Sequence, residues 1–397
     1  MSPKTANRPL PKLIWHLGWI SFFADISSEM IYPIIPLFVT ASLGAPVAAL
    51  GLIEGAAAAI VSLMKGLSGI HQDQTGKKVP YIRWGYGLSA VAKPILAIAT
   101  LWPMVLGARL LDRTGKGVRT TARDALIAEG VEPSLYGRAY GLHGSLDTAG
   151  AFVGVSIALA LLFLFPGQYR AMFVAAALPG LVSWLLTLKV RDLPAQTTVE
   201  SPKWTWASLR DLPRSYWQAL VILIVFGLAN SSDTLILLRA KDLGLTELQT
   251  VGAYALYNLV FTLVSYPAGQ LSDRFGRWQL LGMGWLLYAF VYWGFASLTS
   301  AWLPGLFLLY GIFVGLTRGV TKALVAEIAP GSQKGAAIGI FNMATGFAAL
   351  AASAAAGLLW DRAGAAMPFY AGSALAFVAA LLALLNSRRS DRSHKVS

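Results

Sequence analysis

The chain has 397 residues, 56% of them hydrophobic and 13% charged, with a formal net charge of +13 and no cysteine. A soluble domain carries about 25% charged residues, so a soluble fold is excluded, and without cysteine so is any disulfide framework. The basic excess reads as the loops of a membrane protein rather than as a nucleic-acid surface, and no nucleic-acid partner is expected.

Residues 1–12 are polar and basic. The apolar run that follows continues past Asp25 to Phe38 without a small-residue cleavage site, so it is read as a first spanning helix and not as a signal peptide. Similar runs of near 20 residues recur along the whole chain and do not alternate polar with apolar, which points to helices and away from a barrel. The pattern predicts twelve helices. The first six span 13–40, 46–70, 80–101, 103–128, 136–165 and 168–189. A polar stretch, 190–215, is read as a cytoplasmic linker with a short surface helix around Trp204–Leu209. Six more helices follow at 216–238, 246–270, 278–298, 302–328, 335–359 and 366–386, and a basic tail closes the chain. The expected fold class is an all-α polytopic membrane protein of two pseudo-symmetric six-helix bundles, 1–189 and 216–397. Lys and Arg concentrate in the two tails, the linker and alternate loops, which places both termini and the linker on the cytoplasmic side.

Three echoes support two related halves. Gly69-Ile-His-Gln-Asp73-Gln-Thr-Gly76-Lys77-Lys78 returns as Gly269-Gln-Leu-Ser-Asp273-Arg274-Phe-Gly276-Arg277; Ala125-Leu-Ile-Ala-Glu129 returns as Ala323-Leu-Val-Ala-Glu327; Ser27-Ser28-Glu29 returns as Ser231-Ser232-Asp233. Parallel halves of this kind are a transporter architecture, with a solute site near the midplane.

The fourth helix is the most unusual. Arg109, Asp112, Arg113, Lys116, Arg119, Arg123 and Asp124 interrupt an apolar run long enough to cross a membrane. On a helix, Arg109, Arg113, Lys116 and Arg123 fall within roughly 80° of one another. A charge at mid-bilayer costs at least about 2.5–3.5 kcal/mol, so this stripe must face protein, water or solute. Arg109, Arg113, Lys116, Arg119, Arg123, Asp147, Arg318 and Lys322 are the candidate solute-binding residues, and two basic faces suit a carboxylate or phosphate. A purely structural network is the competing reading, because the acidic residues of the first-half helices nearly balance the basic ones. Glu29, Asp25 and Asp233 are the candidate proton carriers. His143 reads as a hydrogen-bonded packing residue. Four scattered histidines and no cysteine make no metal site, Gly115-Lys116-Gly117 lacks the rest of a phosphate loop, and no cofactor is expected.

The doubled Gly-x-x-x-Asp-x-x-Gly-basic signature, placed between helices 2 and 3 and again between helices 8 and 9, resembles the major facilitator superfamily over essentially the whole chain. That resemblance implies a monomeric secondary transporter working by alternating access, and an inside latch built from Gly69, Asp73, Gly76, Lys77 and Lys78 with Gly269, Asp273, Arg274, Gly276 and Arg277. Gln74 stands where the family usually has a basic residue, and Asp124 is the expected partner of the latch on helix 4. Arg109 with Gly115 and Gly117 resembles the helix 4 motif of proton-coupled drug exporters, interrupted here by Asp112 and Arg113. Gly141, Gly150 and Gly154 resemble the antiporter motif, with Val155 in place of proline. The expectation is a proton-coupled carrier of a small anionic or amphipathic solute, working as an exporter. The alternatives are a lipophilic-cation antiporter, a translocator of lipid-like amphiphiles and, remotely, a non-transporting receptor.

Overall fold

The computed structural model describes residues 10–132, 136–193, 212–328 and 334–396. The expected surface helix near Trp204 lies outside them. Among the described residues the regular structure is helical, in twelve spans: α1 (Lys12–Ile31, continued by Ile35–Leu37 and a π turn Phe38–Ser42), α2 (Val47–Thr75), α3 (Val79–Ile98), α4 (Trp102–Glu129), α5 (Tyr136–Leu164), α6 (Tyr169–Thr187), α7a and α7b (Arg214–Ala229 and Asp233–Asp242), α8 (Glu247–Phe275), α9 (Arg277–Ser297), α10 (Leu303–Ile328), α11 (Lys334–Ala363) and α12 (Met367–Val396). Ten of the twelve are long and apolar enough to cross a membrane. The other two are α3 and α4, and α4 carries the charged stripe.

Local chemistry sets the boundaries. Proline stands in the first turn of α3 and α4, where its missing N–H costs nothing. Thr246 and Gln249 form a capping box at the start of α8. Gly76 and Gly276 end α2 and α8 at φ +66° and +86°, a conformation that favours glycine. Their N–H groups donate to the equivalent carbonyls of Gln72 (2.9 Å) and Ser272 (3.1 Å). The two helices predicted to be continuous are broken. Pro33 lies in the turn that ends α1, where it supplies no donor. At the α7 break, the Ser232 hydroxyl accepts from the Thr234 N–H and so caps α7b.

The chain divides into two compact units, Met1–Leu43 with Ile60–Ser201, and Gly44–Ala59 with Pro202–Ser397. In the first unit α1 packs on α5 and α6, and α3 on α4 and α6. In the second, α8 packs on α10, α9 on α10 and α12, and α7a on α11 and α12. Small residues allow close backbone approach. A methyl group on Gly150 of α5 would lie 2.9 Å from Phe22 Cα of α1, and one on Gly311 of α10 would lie 2.7 Å from the Tyr257 carbonyl of α8.

The α1–α5 crossing is testable within one helix. Gly150→Ala should lower thermal stability in detergent by about 1–3 kcal/mol through overpacking. Gly144→Ala, where nothing lies within 4 Å, should hold or raise it by helix propensity, up to about 1 kcal/mol. Equal melting temperatures for the two variants would contradict the packing.

Candidate functional site

The centre of the first unit is Asp112 of α4, a carboxylate only 4% exposed. Lys93 Nζ of α3, 1% exposed, lies 2.7 Å from one oxygen. Arg109 Nη1 and Arg113 Nε lie 3.8 Å from the other. Three cations therefore share one anion, and the guanidinium of Arg109 also lies 5.8 Å from the Tyr32 ring centroid. Lys93 is the residue that completes this cluster, and periodicity along α4 alone does not reveal it.

Two turns further, Arg119 donates to Ser89 Oγ (2.8 Å) and lies over the Tyr86 ring at 4.3 Å. Ser89 Oγ donates to the backbone carbonyl of Asp112 (3.1 Å). Gly85 and Gly115 let the two helices approach this closely, since a methyl on Gly85 would meet the Gly115 carbonyl at 2.6 Å. Arg123 donates through Nε and Nη2 to Asp124, each at 3.0 Å, and through Nη1 to Ser21 Oγ at 3.0 Å. Ser21 Oγ also bonds His143 Nε2 (2.8 Å) and Tyr86 Oη (3.1 Å). His143 is buried in this arrangement, in agreement with a packing role. The stripe is thus split. Arg109, Asp112 and Arg119 are buried within the unit, whereas Arg113, Lys116 and Arg123 are half-buried.

The remaining carboxylates meet across α1 and α5. The Asp25 carboxyl lies within electrostatic reach of Asp147, Lys116 and Arg119. Arg123 Nη1 lies 4.0 Å from Asp147. Lys116 also feels Glu29, one turn along α1. Asp25, Glu29 and Asp147 are all half-buried. The pairing of Asp25 with Asp147 was not among the sequence expectations, which set Asp147 with the solute residues.

In the second unit, Asp233 opens α7b and accepts hydrogen bonds from Tyr310 (2.6 Å) and Tyr257 (3.0 Å). Tyr288 and Tyr292 stack beside them at 4.0 Å between ring centroids. Arg318 lies within electrostatic reach of Asp233 and 5.5 Å from the Phe261 ring centroid. The side chain of Lys322 lies outside the described residues, as do those of Asp73, Asp273 and Arg274.

The loop motifs have partners that the sequence did not name. Lys78 pairs with Glu129 at 2.7 Å. In the second unit Arg277, which aligns with the neighbouring Lys77, pairs with Glu327 and donates to the Ala323 carbonyl at 2.6 Å. Two of the three echoes thus meet in space, once in each unit. Asp124, expected to partner the loop, is held by Arg123 instead.

A family model described as Major Facilitator Superfamily matches residues 17–321 and again 219–397. The chain belongs to that superfamily. An uncharacterised MFS-type transporter of Methanocaldococcus jannaschii is 32% identical over 386 residues, covering 95% of this chain and 96% of the relative. An uncharacterised protein of Mycobacterium tuberculosis is 26% identical, over 87% of this chain and 85% of its own length. Among solved structures, a peptide transporter POT superposes with a TM-score of 0.78 at 14% identity, covering 96% of this chain and 95% of that one. A bacterial homologue of the human lysosomal transporter Spinster gives 0.76 at 16% identity, with 98% of both chains covered. A D-xylose–proton symporter gives 0.72 at 16% identity, over 94% of this chain and 96% of that one. These similarities at low identity establish the fold. The facilitator is a multi-pass membrane transporter of prokaryotic type that moves a small molecule, and it is not an enzyme.

The Asp112 cluster gives a graded prediction. Asp112→Leu strands Lys93, Arg109 and Arg113 and should destabilise the facilitator by about 3–5 kcal/mol. Lys93→Met leaves Asp112 with two cations and should cost clearly less. Thermal unfolding in detergent reads the difference, and a Lys93→Met protein as unstable as Asp112→Leu would contradict the shared-anion arrangement.

Proposed function

We propose that this facilitator couples solute movement to protons through the Asp25–Asp147 pair, by alternating access of its two sequence halves, 1–189 and 216–397. Both termini would lie on the cytoplasmic side of a prokaryotic inner membrane, with the transporter acting as a monomer. The observation that carries the proposal is the placing of two half-buried acidic residues, Asp25 and Asp147, on packed helices, with Arg123 4.0 Å from Asp147. Two neighbouring carboxylates disfavour each other's ionised form, so the pair is suited to hold a proton between them. Releasing it leaves two negative charges beside Lys116, Arg119 and Arg123. The cations are then drawn to the pair. With the proton bound, Lys116 is less strongly held by the pair and turns to an anionic group on the solute.

The sign of this coupling bears on direction. A proton and an anion that favour each other's binding travel together. An anionic cargo is therefore carried with the proton, which replaces the export expected from the sequence. A cationic cargo competes with the proton and is exchanged for it. The second case has its own support, because Asp233 sits among tyrosine rings, a setting that suits a lipophilic cation.

One experiment separates the two. Purified protein is screened by thermal stabilisation against mono- and dicarboxylates, phosphate esters and lipophilic cations such as tetraphenylphosphonium, at pH 6 and pH 8. Anion binding should weaken as pH rises, by up to about tenfold per unit for one linked proton. Asp147→Asn should abolish that dependence and Lys116→Ala should weaken binding. Stabilisation by cations alone, strengthening with pH and lost in Asp233→Asn, would overturn the anion reading in favour of exchange.

A further inference from the structure

The loop signature occurs a third time. Gly357-Leu-Leu-Trp-Asp361-Arg362-Ala-Gly364 matches Gly269-Gln-Leu-Ser-Asp273-Arg274-Phe-Gly276 at five of eight positions, including both glycines, the aspartate and the arginine. It ends α11 as the other copies end α2 and α8, and Gly364 takes the same left-handed turn, at φ +96°. Two spans, α9 and α10, lie between α8 and α11, so α8 and α11 run in opposite directions. The third copy therefore stands at the opposite end of the unit from Asp273.

There the Asp361 carboxylate has a defined task. One oxygen accepts the Val47 N–H at 3.0 Å and the other accepts the Ala48 N–H at 2.7 Å. These are among the first N–H groups of α2, which a helix cannot satisfy itself. Pro46, just before them, has no N–H, and its carbonyl takes the Ala49 N–H at 3.0 Å. The cap for α2 thus comes from a residue more than 300 positions away, and an anion at a helix N-terminus gains from the dipole as well. Below the cap the two helices touch backbone to backbone. A methyl on Gly357 would lie 2.7 Å from the Val47 carbonyl, and one on Gly55 would lie 2.9 Å from Leu350 Cα, while one on Gly51 would run into the Ser353 carbonyl. Such contact can be made and released without rearranging side chains.

We propose that Asp361 is a positioning residue of the transport cycle: a latch that fastens the start of α2 to the end of α11 in one of the two access states and releases it in the other. It is a counterpart, at the far end, of the loop motifs after α2 and α8. The inference rests on the alternating-access reading above, not on the proton or solute assignments. Its chemistry is two charge-assisted hydrogen bonds to main chain, so any side chain at 47 or 48 serves, while position 361 needs paired acceptor oxygens.

The chain lacks cysteine, so single reporters can be read without background. Val47→Cys places a thiol at the latch, where the residue is 9% exposed, and Ser272→Cys places one at the opposite end, where it is 4% exposed. Maleimide labelling of detergent-purified full-length protein is timed with and without Asp361→Ala, with Asp361→Asn and with Arg362→Gln. Loss of the two bonds should speed labelling of Val47→Cys by at least about tenfold, with Asp361→Asn intermediate and Arg362→Gln unchanged. Labelling of Ser272→Cys should stay constant or slow as the population shifts. Equal rates at Val47→Cys with and without Asp361→Ala would overturn the latch, and so would parallel acceleration at both reporters, which marks general loosening. The readout needs neither proton nor solute, so it stands or fails separately from the pH-dependent screen.

Discussion

Everything in the first unit is arranged around one anion. Asp112 is nearly sealed from water and holds Lys93 and two arginines. A lone ion in such a place would cost several kcal/mol, and mutual attraction recovers this only with good geometry and further hydrogen bonds. Lys93 of α3 hydrogen-bonds the carboxylate and the Ser89–Arg119–Tyr86 chain ties α3 to the Asp112 main-chain carbonyl, and both need α3 and α4 in backbone contact at Gly85 and Gly115. The charge cluster and the glycine contact therefore depend on one another. They also divide the stripe: Arg109, Asp112 and Arg119 are buried in the scaffold, and Arg113, Lys116 and Arg123 are half-buried.

This division bears on the competition between a structural network and a solute site. Net balance over a set of helices does not say which charges face each other. The structure places Lys93 opposite Asp112, and that single pairing absorbs the most buried part of the stripe. The carboxylates left over, Asp25 and Asp147, are half-buried and face one another. Two acids in contact make poor scaffold, because each ionised form disfavours the other. A transporter that has to change charge during its cycle can use that frustration.

What the sequence made legible was periodic or punctuated. Apolar length gave the twelve spans, and the glycine-ended signature gave the turns after α2 and α8, since only glycine enters the φ +66° and +86° conformations without strain. What it hid was lateral. The α1–α5 contact that joins Asp25 to Asp147, and the tyrosines 24 and 77 positions from Asp233, come from helix packing that no spacing rule along one helix encodes. The breaks in α1 and α7 were hidden for another reason. Apolar residues continue through both, so hydropathy stays high while Pro33 and the Asn230-Ser231-Ser232 run end the helical hydrogen bonding.

The paired echoes show how repeated sequence becomes repeated mechanics. Lys78 with Glu129 and Arg277 with Glu327 tie the loop after one helix to the end of another, once per unit. Neither pair is buried on both sides, so each contributes little on its own, at most about 1 kcal/mol. That weakness is useful at a joint that must open. The Asp361 cap follows the same logic with main-chain partners: it satisfies two N–H groups that water can also satisfy, so the difference between fastened and released is small. The Lys93–Asp112 pair at the heart of that cluster cannot be exchanged for water in this way, because both side chains are sealed inside the unit. Strong buried pairing thus keeps a bundle rigid, and weak exposed pairing at helix ends leaves it free to move.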